Sequence, residues 1–100
     1  MSEDRGTGWV RLDDGDSVVV LTREVARGEE LCGPGGERWI VGAPLTMGHK
    51  LAARAIAPGE TVLKYGFPIG VASAPIAAGE HVHTHNLRSA HIGIAAGDGA

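Results

Sequence analysis

The fold is decided by residues 79–86, Gly79-Glu80-His81-Val82-His83-Thr84-His85-Asn86, which contain three of the chain's five histidines. These histidines occupy every second position, and alternate side chains of an extended strand point to the same face. A strand over 80–85 therefore presents all three imidazoles on one side and turns Val82 and Thr84 towards the interior. Because each imidazole has two polar nitrogens that are costly to bury unpaired, we expect the row to line a cleft or a shared surface.

The composition indicates one small domain built from short strands. The chain has 100 residues, of which 43% are hydrophobic and only 4% aromatic, so its core must consist mainly of Val, Leu, Ile and Ala. The 16 glycines exceed average usage and predict many turns. We expect a single domain over residues 1–100, with loose tails at 1–7 and 93–100.

The charge and cysteine content argue against several classes of function. A net charge of −3 without a basic cluster disfavours nucleic acid or an anionic membrane surface as the main partner. No apolar run approaches the ~20 residues that span a bilayer, and the polar N-terminus lacks the apolar segment of a signal peptide. The single cysteine, Cys32, cannot form an intramolecular disulfide, so we expect a reducing, cytoplasmic location and a buried Cys32.

Short β-branched or alternating runs predict a mostly β domain. The strongest run is 17–22, whose continuous apolar sequence favours burial on both faces. Further strands are predicted at 8–12, 37–41, 61–65, 69–73 and 80–85. Residues 50–56 remain ambiguous, because their composition favours helix whereas their alternation favours strand. From Asn86 onward we expect a weakly structured tail.

A four-residue turn pattern occurs three times, as Ala26-Arg27-Gly28-Glu29, Ala57-Pro58-Gly59-Glu60 and Ala77-Ala78-Gly79-Glu80. The Gly-Glu pair is typical of a turn whose glycine adopts a positive φ. The spacing of the three copies is irregular, so the pattern predicts a repeated lead-in to a strand rather than a solenoid.

Four blocks of sequence carry a family resemblance. They are His49-Lys50, Ala57-Pro58-Gly59-Glu60, Val62-Leu63-Lys64-Tyr65-Gly66-Phe67-Pro68-Ile69-Gly70 and Ile76-Ala77-Ala78-Gly79-Glu80-His81-Val82-His83-Thr84-His85-Asn86. Together they resemble the SAF-type N-terminal domain of the altronate/galactarate dehydratase family, and they are similar to the small subunit of the related sulfolactate sulfo-lyase. The resemblance runs from about Asp16 to Asn86, most of the chain.

This resemblance implies a β-clip fold of short, bent strands with long loops and little helix, and it favours strand over 50–56. It also implies a role beside a much larger dehydratase part, where the family's elimination chemistry is expected. Since the chain shows no nucleophile with a base and an orienting group, we expect a non-catalytic small subunit that gates or completes the pocket of a large lyase subunit. A sugar acid is the expected substrate, and a second copy of the chain is an alternative partner.

The candidate binding residues follow from the chemistry of sugar acids. A carboxylate requires cations, and a row of hydroxyls requires paired donors and acceptors. The predicted substrate- or partner-binding residues are His49, Lys50, Lys64, His81, His83, His85 and Asn86. For Lys50 the simpler interpretation, a solvated strand residue, is favoured, and for Lys64 the two interpretations are balanced. Tyr65 and Phe67 are predicted to lie in the core.

A metal site is the competing interpretation of the histidine row. Alternate strand residues have Cα atoms ~6.6 Å apart, so two such histidines can bind one ion. His81, His83 and His85 together span ~13 Å, and they reach a single zinc or iron ion only if the strand bends. The alternative function is therefore a standalone β-clip module that binds a divalent metal ion or a small anionic sugar acid. No intrinsic cofactor is otherwise expected.

Overall fold

A computed structural model describes residues 7–89 of the protein, and within this range it contains strands and no helix. The strands are β1 Trp9–Val10, β2 Val18–Leu21, β3 Glu30–Cys32, β4 Arg38–Ile40, β5 Lys50–Ala52, β6 Thr61–Lys64, β7 Phe67–Ala72, β8 His81–Val82 and β9 Leu87–Ser89. The mostly β, β-clip prediction is confirmed. Among the described residues no helix is long and apolar enough to cross a membrane. The predicted tails lie outside the described residues, apart from Thr7.

All strand pairs are antiparallel, and they form three small sheets. The largest has the order β1-β2-β5-β8, and the others are the hairpin β3-β4 and the sheet β6-β7-β9. β2 and β5 occupy the centre of the largest sheet, where Val19 pairs with Leu51. Val18, Val19 and Leu21 are each at most 1% exposed, so burial of β2 on both faces is confirmed.

The four-stranded sheet separates two hydrophobic clusters. Val19 and Val18 enter different clusters, because successive residues of a strand point to opposite faces. The first cluster includes Trp9, Leu21, Leu31, Trp39 and Leu51. The second includes Ala52, Ile56, Val62, Ala72, Ile76 and Val82. Each cluster is thus covered by a different hairpin, β3-β4 on one side and β6-β7 on the other.

The chain is an internal duplication, and residues 18–48 and 49–79 are its two halves. Each half runs through a strand, a bend, a glycine turn, a hairpin, a second bend and a second glycine turn. Several backbone hydrogen bonds of the first half have equivalents in the second half between residues numbered 31 higher. The Gly28 N–H donates to Val41 C=O, and the Gly59 N–H donates to Ala72 C=O. In the same way the Gly48 N–H donates to Leu21 C=O, and the Gly79 N–H donates to Ala52 C=O. The isolated bridges Val25–Leu45 and Ile56–Ile76 are equivalent in the same way.

The duplication contains a fourth glycine turn that the sequence pattern missed. In the three recognised turns the glutamate carboxylate accepts a hydrogen bond from a backbone N–H three residues earlier, from Ala26 to Glu29, Ala57 to Glu60 and Ala77 to Glu80, at 3.0, 3.0 and 2.8 Å. The fourth turn is 46–49, where Gly48 has φ 96° and the His49 N–H donates to Thr46 C=O at 3.3 Å. His49 occupies the glutamate position of this turn, so the Gly-Glu pattern did not identify the fourth turn in the sequence.

The predicted strand over 80–85 is wrong beyond Val82. Residues 83–86 form a turn, and a third strand of the β6-β7 sheet, β9, follows where a weakly structured tail was expected. The cause is Asn86, whose side chain hydrogen-bonds the backbone of 81 and 83 and so offers an alternative to continued strand pairing. The ambiguous segment 50–56 does begin as a strand, as the resemblance indicated.

Two predicted core residues are exposed instead. Phe67 is 72% exposed because it follows a two-residue hairpin turn at the tip of β6-β7. In that turn Tyr65 and Gly66 both have positive φ, and the buried Asp16 carboxylate accepts both of their N–H groups at 2.8 Å. Cys32 is exposed because its neighbour Leu31 takes the inward position of β3. Tyr65 is half-buried.

Gly79 provides a test of how tightly the turn before β8 is packed. Its φ is 83°, and an added Cβ would lie 2.6 Å from Cγ of Trp39. Gly79→Ala is expected to lower the free energy of unfolding by ~2–5 kcal/mol, combining left-handed strain of ~1–2 kcal/mol with overpacking of ~1–3 kcal/mol. Gly48→Ala, the equivalent position with open space around it, should show only the strain. Urea denaturation of both variants measures the difference, and equal losses would contradict the Trp39 contact.

Candidate functional site

Four histidine side chains meet where β5 and β8 begin, and they are termed the histidine cluster: His49, His81, His83 and His85. Ring centroids are 5.0 Å apart for His49–His81, 5.8 Å for His49–His83, 5.4 Å for His81–His83 and 5.7 Å for His81–His85. His49 Nδ1 lies 3.0 Å from His81 Nε2, within hydrogen-bond distance. The structure therefore brings together all four histidines that the sequence analysis selected.

The cluster forms because the chain turns after Val82, and not because the strand stays extended. The Asn86 side-chain oxygen accepts a hydrogen bond from the His83 N–H at 2.9 Å, and its amide group donates to His81 C=O at 2.9 Å. This turn places the His83 ring nearly parallel to that of His81, with 9° between their planes. The bend required for a shared ion is thus present. Asn86 is only 3% exposed, and its side-chain oxygen and amide group both bond the backbone of this turn.

His49 reaches the cluster from the fourth glycine turn. In the other three turns the same position holds a glutamate that bonds its own backbone. The His49 side chain instead contacts His81, which lies across the β5-β8 pair, where Leu51 pairs with His81. One position of the duplicated scaffold has therefore exchanged a turn-stabilising carboxylate for an imidazole directed at the cluster.

The strand register places Lys50 on the opposite face of the sheet from His81. Lys50 pairs with Val82 and Leu51 with His81, so Lys50 and His81 point to opposite faces of the four-stranded sheet. Burial lowers the pKa of Lys50, and the nearby charge of Lys64 lowers it further. Lys64 itself lies with Nζ 5.0 Å from the centroid of the Tyr65 ring. Of the predicted binding residues, Lys50 therefore lies on the face opposite His81, and the charge of Lys64 is close enough to act on Lys50.

An open cleft of about 460 Å³ adjoins the histidine cluster. Its walls include the apolar side chains of Trp39, Val41, Leu45 and Leu51, and His81 and His85 also line it. This volume lies within the ~300–1,000 Å³ range of small-molecule pockets. Sequence reasoning missed the cleft because the two segments that form most of it, residues 38–45 and residues 77–85, are far apart in the chain.

The electrostatic setting keeps His81 neutral near pH 7. Burial lowers the pKa of His81 to about 4, and the neighbouring His49, His83, His85 and Lys50 contribute in the same direction. A neutral imidazole retains a lone pair that can accept a hydrogen bond or bind a metal ion. The histidine cluster therefore contains one imidazole, that of His81, which stays neutral near pH 7, and two exposed imidazoles, those of His83 and His85.

The chain has clear similarity to known proteins. Residues 7–90 match the family model described as the altronate/galactarate dehydratase SAF domain. The chain is 36% identical over 81 residues to an altronate dehydratase of Bacillus subtilis (strain 168) and 40% identical over 81 residues to one of Escherichia coli (strain K12). Each of these alignments covers 81% of this chain but only 16% of the relative, so the chain matches a small part of those proteins.

A second kind of relative has a comparable length. The chain is 38% identical over 92 residues to the (2R)-sulfolactate sulfo-lyase subunit alpha of Chromohalobacter salexigens. That alignment covers 81% of this chain and 93% of the relative. The same domain thus occurs within large dehydratases and as nearly the whole of a separate lyase subunit.

The role of Asn86 can be measured through stability. Asn86→Ala leaves the His83 N–H and the His81 C=O without their side-chain partner. We expect a loss of ~1–3 kcal/mol in the free energy of unfolding, together with a large shift of the His83 amide resonance in NMR spectra. Thr84→Ala, an exposed change in the same turn, should stay within ~0.5 kcal/mol. Similar effects of the two changes would show that Asn86 does not hold the turn.

The low pKa of His81 predicts a loss of stability in mild acid. Because the pKa rises from about 4 in the folded protein towards ~6.5 on unfolding, the unfolded chain binds a proton more readily. The free energy of unfolding of metal-free protein should therefore be highest above pH 6.5 and fall from there towards pH 4. His81→Gln should flatten this fall, whereas Thr84→Ala should not. The carboxylates with lowered pKa, Glu29, Glu30 and Glu60, add their own losses only below about 4.5. Constant wild-type stability between pH 6.5 and 4.5 would contradict the prediction.

Proposed function

The chain belongs to the family of altronate/galactarate dehydratase SAF domains, and on that premise we propose that it is the small, accessory subunit of a dehydratase-type lyase. It docks on a separate large subunit that performs the elimination. The observation that carries this proposal is the match to 93% of a protein named as one subunit of a lyase. The altronate dehydratases, in which the equivalent part is 16% of one chain, support the same division between a small and a large part.

The site supports a binding role for this subunit. The ring contacts described for the cluster join histidines to one another, whereas a general base is normally oriented by a third group such as a carboxylate. Imidazoles can donate to and accept from hydroxyls, and a protonated imidazole pairs with a carboxylate. A sugar acid carries both groups. In this proposal the exposed rings of His83 and His85 complete a substrate pocket whose catalytic groups belong to the large subunit.

A standalone binding module for a small sugar acid is the second candidate function. It is favoured by one observation, namely that the histidine cluster and the adjoining cleft are both formed within this chain. In this case the chain binds its ligand without a partner. The two candidates differ in whether affinity for a sugar acid requires the large subunit.

Co-expression distinguishes the two candidates. The chain is produced with any large lyase subunit that is encoded beside its gene, and we expect the two to copurify and to turn over altronate, galactarate or sulfolactate. Omission of the small chain, or His83→Gln within it, should lower turnover at least ~10-fold, because contacts to the substrate are lost. Arg27→Ala, at an exposed turn of the other half, is the matched control and should leave turnover unchanged.

The proposal fails if the chains do not copurify and the large chain is equally active alone. Calorimetric titration of the isolated small chain with the same acids then tests the second candidate. Binding that is abolished by His83→Gln would support a standalone module, and no heat would exclude it.

A further inference from the structure

We propose that His49, His81 and His83 together bind one divalent transition-metal ion and leave at least one coordination position open. This site goes beyond the proposed function, because it depends only on groups within the described part of this chain. One nitrogen from each of the three rings lies within 4.8 Å of the others. These rings approach closely from two separate segments, the fourth glycine turn with His49 and the segment of β8 and its following turn with His81 and His83, and so they form a preassembled set of ligands.

The distances suit a single ion after a small adjustment. Nitrogens bound to one tetrahedral zinc ion at ~2.0–2.1 Å lie ~3.3 Å apart. His49 Nδ1 and His81 Nε2 are already 3.0 Å apart, so this pair needs almost no movement. The third ligand, His83, is exposed, and rotation of its side chain can close the remaining gap.

The hydrogen bond between His49 and His81 occupies the place of the ion. Two neutral imidazoles can approach to 3.0 Å only if one nitrogen carries a proton and donates it to the other. When an ion enters, that proton moves to the other nitrogen of the same ring through solvent. Both facing nitrogens then have lone pairs for the ion, and each ring stays neutral.

The position of His49 in the duplication is an independent argument. The other three glycine turns place a glutamate there, and each carboxylate stabilises its own turn. A histidine at this position gives up that carboxylate cap and gains a contact with His81. The replacement of glutamate by histidine is explained if the His49 imidazole binds the same metal ion as the rings of His81 and His83.

This ligand set differs from the trio that the sequence suggested. His85 was expected to bind the ion with His81 and His83, but it lies on the cleft side of His81 and outside the group of converging nitrogens. His49 takes its place. His85 is therefore a matched control, since it is a neighbouring imidazole of the same cluster that the site does not require.

The chemistry of the ligands indicates the class of metal. Three imidazole nitrogens without thiolates suit Zn²⁺, Fe²⁺ or Co²⁺ and do not suit Ca²⁺ or Mg²⁺, which prefer oxygen. Three protein ligands also leave a position for water or substrate, as in catalytic zinc sites. That a carboxylate or hydroxyl of a sugar acid takes this position rests on the proposed function, whereas the metal site itself does not.

Titration with Co²⁺ and Zn²⁺ tests the site. Untagged protein is stripped with a chelator and titrated at pH 7.5, with the visible absorption of Co²⁺ and the heat of Zn²⁺ binding as readouts. We expect one ion per chain. His49→Gln and His83→Gln should each weaken binding by more than ~100-fold, since loss of a direct ligand exceeds the ~10–100-fold effect of outer partners. His85→Gln should change affinity by less than ~3-fold.

His49→Gln is designed to preserve the fold. Its amide oxygen can accept the Thr46 N–H in the way that glutamate does in the other turns, so thermal unfolding should match the wild type or improve on it. Absence of a Co²⁺ absorption band from the wild type, or equal affinity in wild type and both ligand variants, would overturn the proposal. So would a loss in His85→Gln as large as in His49→Gln. Because the titration uses the isolated chain, its result is independent of whether a large subunit copurifies.

Discussion

The structure depends on the burial of both faces of one central strand pair. Val18 and Val19 are neighbours in β2, yet each belongs to a different hydrophobic cluster. A chain of this size with 4% aromatic residues has little apolar volume to use, and a sheet that packs on both sides uses every residue of its central strands. This arrangement fixes β5 in register beside β2 and β8 in register beside β5. The histidine cluster is positioned by that register, because His81 is the first residue of β8.

The histidine cluster lies where the internal symmetry of this scaffold breaks. The two halves share bends, turns and hydrogen bonds at equivalent positions, but His49 stands where its counterpart Glu80 still bonds its own turn. Asn86 breaks the pattern a second time by ending β8 after two residues. Together these two departures bring four imidazoles to one edge of the sheet. A stable, repeated framework thus carries a site that depends on only a few specialised residues.

Much of this could be predicted from the sequence, but the limits have identifiable causes. Alternation and β-branched residues located most strands, and the histidine spacing identified the cluster itself. The predicted strand over 80–85 was too long because the Asn86 side chain hydrogen-bonds the backbone and so competes with strand pairing. Such a local hydrogen bond leaves no periodic pattern in the sequence from which it could be predicted. The placement of Lys50 on the face opposite His81 follows from the pairing of Leu51 with His81, which requires knowledge of register. The choice of His49 over His85 for the converging trio likewise depends on contacts between distant segments.

The internal duplication has a consequence for how the site comes into being. His49 opens the second half, whereas His81 and His83 lie just beyond its end, and the β5-β8 pairing that joins them is held by β2 from the first half. Neither repeat alone contains the whole arrangement of supporting strands. If the chain were divided between β4 and β5, the fragment that carries all four imidazoles would lack β2, the strand that pairs with β5 in the intact sheet. Association with the first fragment would restore that strand, so the contacts among the imidazoles would report whether the two fragments had come together.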